Sequence, residues 1–167
     1  GFIKTDLPTS HTIENLDWKT PEEWVETLSA KSRRHVRGTI LKKAALYDVK
    51  HVENATERQI EHWYNLYIQV KKNSLALNTF TLPYKLFKNL AGSANWDVLE
   101  LHLKDKNLAN SEAVSVIFNY KSGDSYSAMF IGVDYSLQQD FMPYRQALYQ
   151  SILRAKTLGV KNLHLGY

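Results

Sequence analysis

Asp134, Tyr135, Tyr144 and Arg145 bring a carboxylate, two phenols and a guanidinium into the short stretch from Gly132 to Arg145. A carboxylate at the end of a strand can orient an amine or take its proton. A phenol in the first turn of a helix can hand a proton to a leaving group. An arginine beside it can meet a phosphate, because free first-turn amides already favour oxygen anions. Each residue also has a plainer role open to it. Asp134 can close a strand-ending turn by bonding nearby backbone amides. Tyr144 can be a core aromatic at helical spacing with Leu148, and Arg145 an exposed helix arginine.

A second constellation lies upstream. No acidic residue falls between Glu26 and Asp48, while Lys31, Arg33, Arg34, Arg37, Lys42 and Lys43 all do, with His35 among them. Such a helix can meet phosphate, RNA or an acidic protein face, with Lys31, Arg33 and Arg37 as the anion-binding candidates. The competing reading is a solvated helix surface. The cluster contains no aromatic residue, which argues against single-stranded nucleic acid. The histidines, His11, His35, His51, His62, His102 and His164, show no metal-ligand spacing. With no cysteine, disulfides, thiolate catalysis and zinc–sulfur sites are excluded. No Gly-x-Ser-x-Gly nucleophile turn is present.

The elements that must position these residues follow from periodicity. Tyr126, Ala128 and Phe130 alternate, which predicts a strand ending near Gly132. Pro143 starts a helix with Tyr144, Leu148, Ile152 and Ala155 on one face, closed by Gly159 with Lys156 in the last turn. Asn162–Tyr167 begins another strand, so the segment reads as a β-α-β crossover. In an open sheet such a crossover binds ligands at its strand ends and helix N-terminus. Upstream, Trp96–Leu103 and Ala113–Tyr120 read as strands around a turn at Asp105–Asn110. Ser122-Gly123-Asp124 joins the second of them to Ser125–Ile131 as a hairpin. Residues 1–19 look irregular. Thr20-Pro21-Glu22-Glu23 is a helix start with a capping box. Ser29 caps the basic helix, which turns Val36, Ile40 and Leu41 inward and is weakened by Gly38. Ala45–Val52 is a strand with Tyr47 and Val49 on one face. Asn54 or Thr56 caps a helix with Ile60, Trp63, Tyr64, Tyr67 and Val70 at helical spacing, and Leu82-Pro83 opens a short helix stopped by Gly92.

The sum is an α/β chain, an α+β mixed sheet with helices on both faces. Residues 1–43 form an N-terminal helical segment carrying the basic helix, and 44–167 a core. The last strand closes the sequence without a following element, so a fragment is expected, truncated after the fifth core strand. At 167 residues, 44% hydrophobic and 12% aromatic, the chain is long and apolar enough to fold around its own core. A net charge of +4 permits an anionic ligand without demanding nucleic acid. No apolar run reaches membrane-span length, and none follows Gly1-Phe2-Ile3-Lys4 as a signal peptide requires. Cytoplasmic is the default expectation.

Strand, two helices, three antiparallel strands, helix, strand resembles the order of the GNAT acyltransferase core. Leu28-Ser29-x-Lys31-x-Arg33-x-x-x-Arg37 is similar to the basic helix preceding that core in the FemAB-like branch, which includes the peptidoglycan aminoacyl transferases. Tyr64-x-x-Tyr67, Leu82-Pro83-x-x-x-Phe87 and Gly132-x-Asp134-Tyr135 resemble this branch too. So do Tyr144-x-x-x-Leu148-Tyr149-x-x-Ile152-x-x-Ala155-x-x-x-Gly159 and Leu163-x-Leu165-Gly166, and together the motifs span most of residues 28–167. The resemblance implies transfer of an acyl group from acyl-CoA or aminoacyl-tRNA to an amine or hydroxyl of a small-molecule or peptide-like acceptor. It assigns Asp134 and Tyr144 to catalysis and Gly132, Tyr135 and Arg145 to the donor, with Tyr135 lining the acyl channel. One departure stands out. Ordinary GNAT enzymes carry a Gln/Arg-x-x-Gly-x-Gly/Ala pyrophosphate loop, and here Ser136–Pro143 contains no glycine. The resemblance therefore implies the fold more strongly than it implies coenzyme A. The alternative is a non-catalytic module on this fold that binds an anionic partner through the basic helix.

Overall fold

The structure, a computed structural model, describes residues 10–73, 80–109 and 111–166. Six strands form one mixed sheet in the order β1-β6-β5-β4-β3-β2. They are β1 (Thr12–Glu14), β2 (Tyr47–Val52), β3 (Trp96–Leu103), β4 (Ala113–Ser122), β5 (Ser125–Val133) and β6 (Asn162–His164). Only β5 and β6 run parallel; every other neighbouring pair is antiparallel. The expected meander β3-β4-β5 is present, with a tight turn in which Gly123 takes a left-handed φ of 54°.

Helices cover both faces. On one side lie α4 (Glu57–Asn73) and α5 (Tyr84–Leu90), which bury Ile60, Trp63, Leu66 and Phe87 against Val98, Val116 and Phe118. On the other lies α7 (Pro143–Leu158), packed with α1 (Pro21–Thr27) around Trp24, Tyr149, Ile152 and Leu163. Buried on both sides, β4 hides every residue from Ala113 to Asn119. A short helix, α6 (Lys106–Ala109), fills the turn between β3 and β4.

The caps set the element starts. The Thr20 hydroxyl accepts from the Glu23 amide at 3.2 Å, and Glu23 Oε2 reaches back to the Lys19 amide at 2.7 Å. Of the two caps possible for α4, Thr56 is used. Its Oγ1 accepts from the Gln59 amide at 3.3 Å, while Gln59 Oε1 accepts from the Thr56 amide at 3.0 Å. Ser29 caps α2 (Ala30–His35), after which the backbone widens into a π-turn, Val36–Leu41, before α3 (Lys42–Ala44). Gly38 sits inside that π-turn, at the weak point expected from its helix propensity.

Four expectations change. Thr12–Glu14, expected to be irregular, is a strand pairing with β6 through Thr12–His164, Ile13–Leu163 and Glu14–Asn162. Val49, expected on one face with buried Tyr47, is 40% exposed on β2, the edge strand of the sheet. The buried face of α7 is Gln146, Ala147, Tyr149, Ser151, Ile152 and Ala155, so Tyr144 lies off it. The last strand is shorter than expected, and Tyr167 lies outside the described residues.

Candidate active site at the open edge of strand β5

A bulge shapes the site. In the β4–β5 ladder Phe118 faces Phe130 and Asn119 faces Ala128, so Met129 falls out of register. An extra residue of this kind bends its strand and sharpens the local twist. The other neighbour of β5 parts from it at the same level. The β5–β6 ladder holds only Ser125–Asn162, Tyr126–Leu163 and Ser127–His164. On its other edge β6 extends its ladder with β1: Leu165 N donates to His11 O at 2.8 Å, and His11 N donates to Gly166 O at 3.0 Å. Among the described residues no strand pairs β5 beyond Ser127 on this side, and Met129 is half exposed.

The segment 134–142 runs from this edge into α7. Asp134 Oδ1 accepts from the Ser136 amide at 2.9 Å and from the Ser136 hydroxyl at 2.6 Å, capping a 3-10 turn, Tyr135–Leu137. Tyr135 N donates to Gln69 Oε1 of α4 at 3.0 Å. Tyr47 of β2 donates to the Phe141 carbonyl at 2.9 Å, and Lys43 of α3 to the Asp140 carbonyl. Met142 then takes a left-handed φ of 55° immediately before Pro143. That turn is made without glycine and is clamped from three elements.

The helix start brings some of the candidate residues together and separates others. The Tyr144 amide donates to Gln138 Oε1 at 3.4 Å. Burial pushes the Tyr144 phenol up, with a smaller push from nearby Tyr135, so it stays protonated at neutral pH and able to donate. Arg145 turns the other way, where its Nη1 donates to His35 Nε2 at 2.7 Å. Gly132 is covered by α4: a Cβ there would meet Tyr67 N at 2.7 Å and Leu66 Cβ at 2.8 Å. Its lack of a side chain is therefore explained by helix packing, and its carbonyl accepts from Ser115 Oγ at 3.0 Å. Tyr135 and Tyr144 lie near one another and Asp134 begins the segment that joins them to β5, while Gly132 lies beneath a helix and Arg145 faces α2.

The basic segment is partly neutralised. Arg33 Nη1 bonds the Glu26 carbonyl at 2.9 Å and Glu26 Oε2 at 3.2 Å, and Arg37 pairs with the other oxygen of the same carboxylate. Lys31 is exposed on the opposite side of the helix. Among the described residues, no group of three His, Asp or Glu side chains could hold a metal ion, and no helix is long and apolar enough to cross a membrane.

The family model for the acetyltransferase (GNAT) domain matches residues 30–167. The chain belongs to the GNAT acetyltransferase family. Among solved structures it is similar to FemX, with a TM-score of 0.66 and 12% identity over 94% of this chain and 52% of that one. It is also similar to L-PGS from Bacillus licheniformis, with a TM-score of 0.58 and 16% identity over 94% of this chain and 44% of that one. This chain thus spans about half the length of each. The FemAB-like resemblance in the sequence is matched at the level of fold. A comparison with curated proteins gives no match.

Two polar clusters in this GNAT fold had no signal in the sequence. Asp97, almost buried on β3, accepts from Tyr126 Oη at 2.9 Å and Arg154 Nε at 2.8 Å, with His51 Nε2 at 2.5 Å. Burial and the adjacent Asp97 charge drive the Tyr126 phenol far up. This cluster sits where β2 and β3 pair Val52 with Val98, at the opposite end of the sheet from Asp134. Nearer the open edge, Glu100 accepts from Trp63 Nε1 at 2.6 Å and lies 3.0 Å from His102 Nε2. Burial opposes its charge, but the hydrogen bonds from His102 and Trp63 and the His102 charge prevail and hold the carboxyl below its ordinary value. Both carboxylates are bonded by residues from distant elements, a pairing that periodicity does not encode.

Proposed function

We propose that the chain is the donor-binding part of an acyl- or aminoacyltransferase, with the donor held where β6 leaves β5 and against the first turn of α7. One observation carries this reading: the β5–β6 ladder ends at Ser127–His164, so that among the described residues no strand pairs β5 beyond Ser127 on that side, where Ala128 packs with Ala147 of α7. Acyl transfer here is direct attack of an amine or hydroxyl on the bound acyl carbon. The C–O or C–S bond to the donor breaks as the new bond forms, and the departing oxygen or sulfur must be protonated. Tyr144, kept protonated and placed in the first turn, is the donor of that proton. Asp134 is half-buried, and Oδ1 is committed to Ser136, so its role is to hold the 3-10 turn and present its carboxylate to an acceptor amine. Pro143 carries no amide hydrogen and the Tyr144 amide is held by Gln138 Oε1, so a donor phosphate at this helix start would displace the Gln138 side chain. No glycine lets the 134–142 segment wrap a pyrophosphate closely, which favours an aminoacyl-tRNA 3′ end over a simple acetyl-CoA.

Titration of acyl-CoA, and separately of an aminoacylated tRNA 3′ fragment, into isotope-labelled protein should first perturb amides of residues 134–147. Tyr144→Phe should keep donor binding and lower turnover by roughly 10²–10⁴-fold. A donor that at saturation moves only the basic helix, or nothing, defeats this reading. The binding-module alternative then takes its place, supported by the shallow depression of Ala30, Arg34, Gly38 and Lys42 beside Arg33 and Arg37. Its signature is a salt-sensitive interaction with RNA.

A further inference from the structure

The side of α7 that carries Arg145 faces a groove separate from the open edge of β5. The groove encloses about 890 Å³ between β1, α1, α2 and α7. That lies within the range of about 300–1,000 Å³ typical of small-ligand sites. Its floor is apolar: Ile13, Trp24, Leu28, Val36, Ile152 and Leu165. Its rim is cationic: Lys31 and Arg145, with His35 between them. Among the described residues, no Asp or Glu lines it. This contrasts with the far side of the same helix, where Glu26 occupies Arg33 and Arg37. His35 Nε2 accepts from Arg145 Nη1, so the guanidinium is steered to the rim while its remaining donors are not consumed by a carboxylate.

An apolar floor and a cationic rim call for a ligand with both parts. We infer that the groove binds a single-chain amphiphile bearing a phosphate, its chain on Trp24, Leu28, Val36 and Ile152 and its phosphate between Lys31 and Arg145. A bare phosphate would leave the floor in contact with water. A neutral chain would leave the two exposed cations at the rim without a counter-charge. Arg145 suits a phosphate because its planar fork makes two charge-assisted bonds at once, and Lys31 adds a point charge on a flexible stem. The inference does not rest on the donor reading, since the groove lies on the side of α7 that faces α1 and α2. Binding here reads out at Ile13, Lys31, Ser32 and Val36, whereas within the donor-sensitive stretch 134–147 the residues 134–138 lie outside the groove and report the donor alone.

The test is a chain-length series of hexyl, octyl and decyl phosphate, each below its micelle concentration, titrated into the labelled full chain. Affinity should rise by roughly threefold to fourfold per buried methylene. The shifts should fall on the groove amides. Inorganic phosphate and decanol should each bind far more weakly. Lys31→Ala with Arg145→Ala should weaken decyl phosphate by roughly tenfold to a hundredfold and leave decanol unchanged. Lys31→Ala alone, at an exposed side chain, keeps the test decisive if the double variant does not fold. Ser32→Trp, from an exposed position on the rim, should block the chain. The inference is overturned if affinity is independent of chain length, if inorganic phosphate binds as well as decyl phosphate, or if Lys31→Ala changes nothing. Adsorption to vesicles containing phosphatidic acid without binding of monomeric alkyl phosphate also overturns it, in favour of a membrane-surface contact.

Discussion

Replacing Gly132 with alanine probes the contact that seats α4 on β5. The added Cβ would lie 2.7 Å from Tyr67 N, 2.8 Å from Leu66 Cβ and 3.0 Å from Leu66 C. Two of these are backbone atoms, which cannot swing aside as a side-chain end would. To restore ordinary contact α4 must lift by about 0.7 Å, the difference between 2.7 and 3.4 Å. Overpacking of this kind costs about 1–3 kcal/mol. The lost freedom of glycine in the unfolded chain offsets about 0.4–1 kcal/mol of that. A net destabilisation of about 1–2 kcal/mol should lower Tm by about 2–8 °C in a domain of this size. Thermal unfolding and the urea midpoint measure it. The same lift draws Gln69 away from the Tyr135 amide, so that amide should exchange faster with solvent. A variant with unchanged Tm and an unchanged Tyr135 amide would refute the reasoning, because helix and strand would then have slack between them.

Three further outcomes follow from the polar contacts. Tyr126→Phe removes a buried hydroxyl from Asp97 and should cost about 1–3 kcal/mol in urea unfolding, since the carboxylate stays buried with one donor fewer. Glu100 has a folded-state value below its ordinary 4.5, so it contributes stability above that value and loses the contribution as pH falls through the lower one. Glu100→Gln should therefore flatten the acid limb of a stability–pH profile measured from pH ~7 to ~3, and an identical limb would remove Glu100 from the account. Reversing Arg33 and Arg37 to glutamate together sets two new carboxylates against Glu26. These are exposed pairs, so the loss should stay within about 1 kcal/mol by urea midpoint, and a variant that unfolds would make these arginines structural.

The elements with strong local chemistry were readable before any coordinates. β3 runs over the expected Trp96–Leu103, Thr56 and Gln59 cap α4, and Pro143 and Gly159 bound α7. Local signals failed where the partner is remote. A three-residue strand such as Thr12–Glu14 has no periodicity to detect, and it exists only because β6, far along the chain, offers it an edge. The expected face of α7 holds at Leu148, Ile152 and Ala155 and fails at Tyr144, and the buried polar residues beside it had no apolar signal. Gln146 donates to the Ile40 carbonyl at 2.8 Å and Ser151 to Asn119 Oδ1 at 2.8 Å, so hydrophobicity alone marks only part of the buried face. At the candidate site, the crossover located the open edge and the helix start. The opposite directions of Tyr144 and Arg145 depend on what packs around α7, and adjacent residues on a helix point about 100° apart. The pairing of Arg33 and Arg37 with Glu26 was hidden by the break between α1 and α2.

The left-handed Met142 has a consequence for how a ligand would be met. A non-glycine residue in that conformation, followed by proline, costs of order 1 kcal/mol or more and persists only where its surroundings over-determine it. Here Tyr47, Lys43 and Gln69 supply those surroundings from β2, α3 and α4. A glycine-rich phosphate loop samples many shapes and is ordered by what it binds. This segment surrenders its conformational entropy when the chain folds, so arrival of a ligand would release no further disorder and demand no rearrangement. Recognition at this helix start would then resemble docking to a cast surface, with selectivity set by the shape the fold has already fixed.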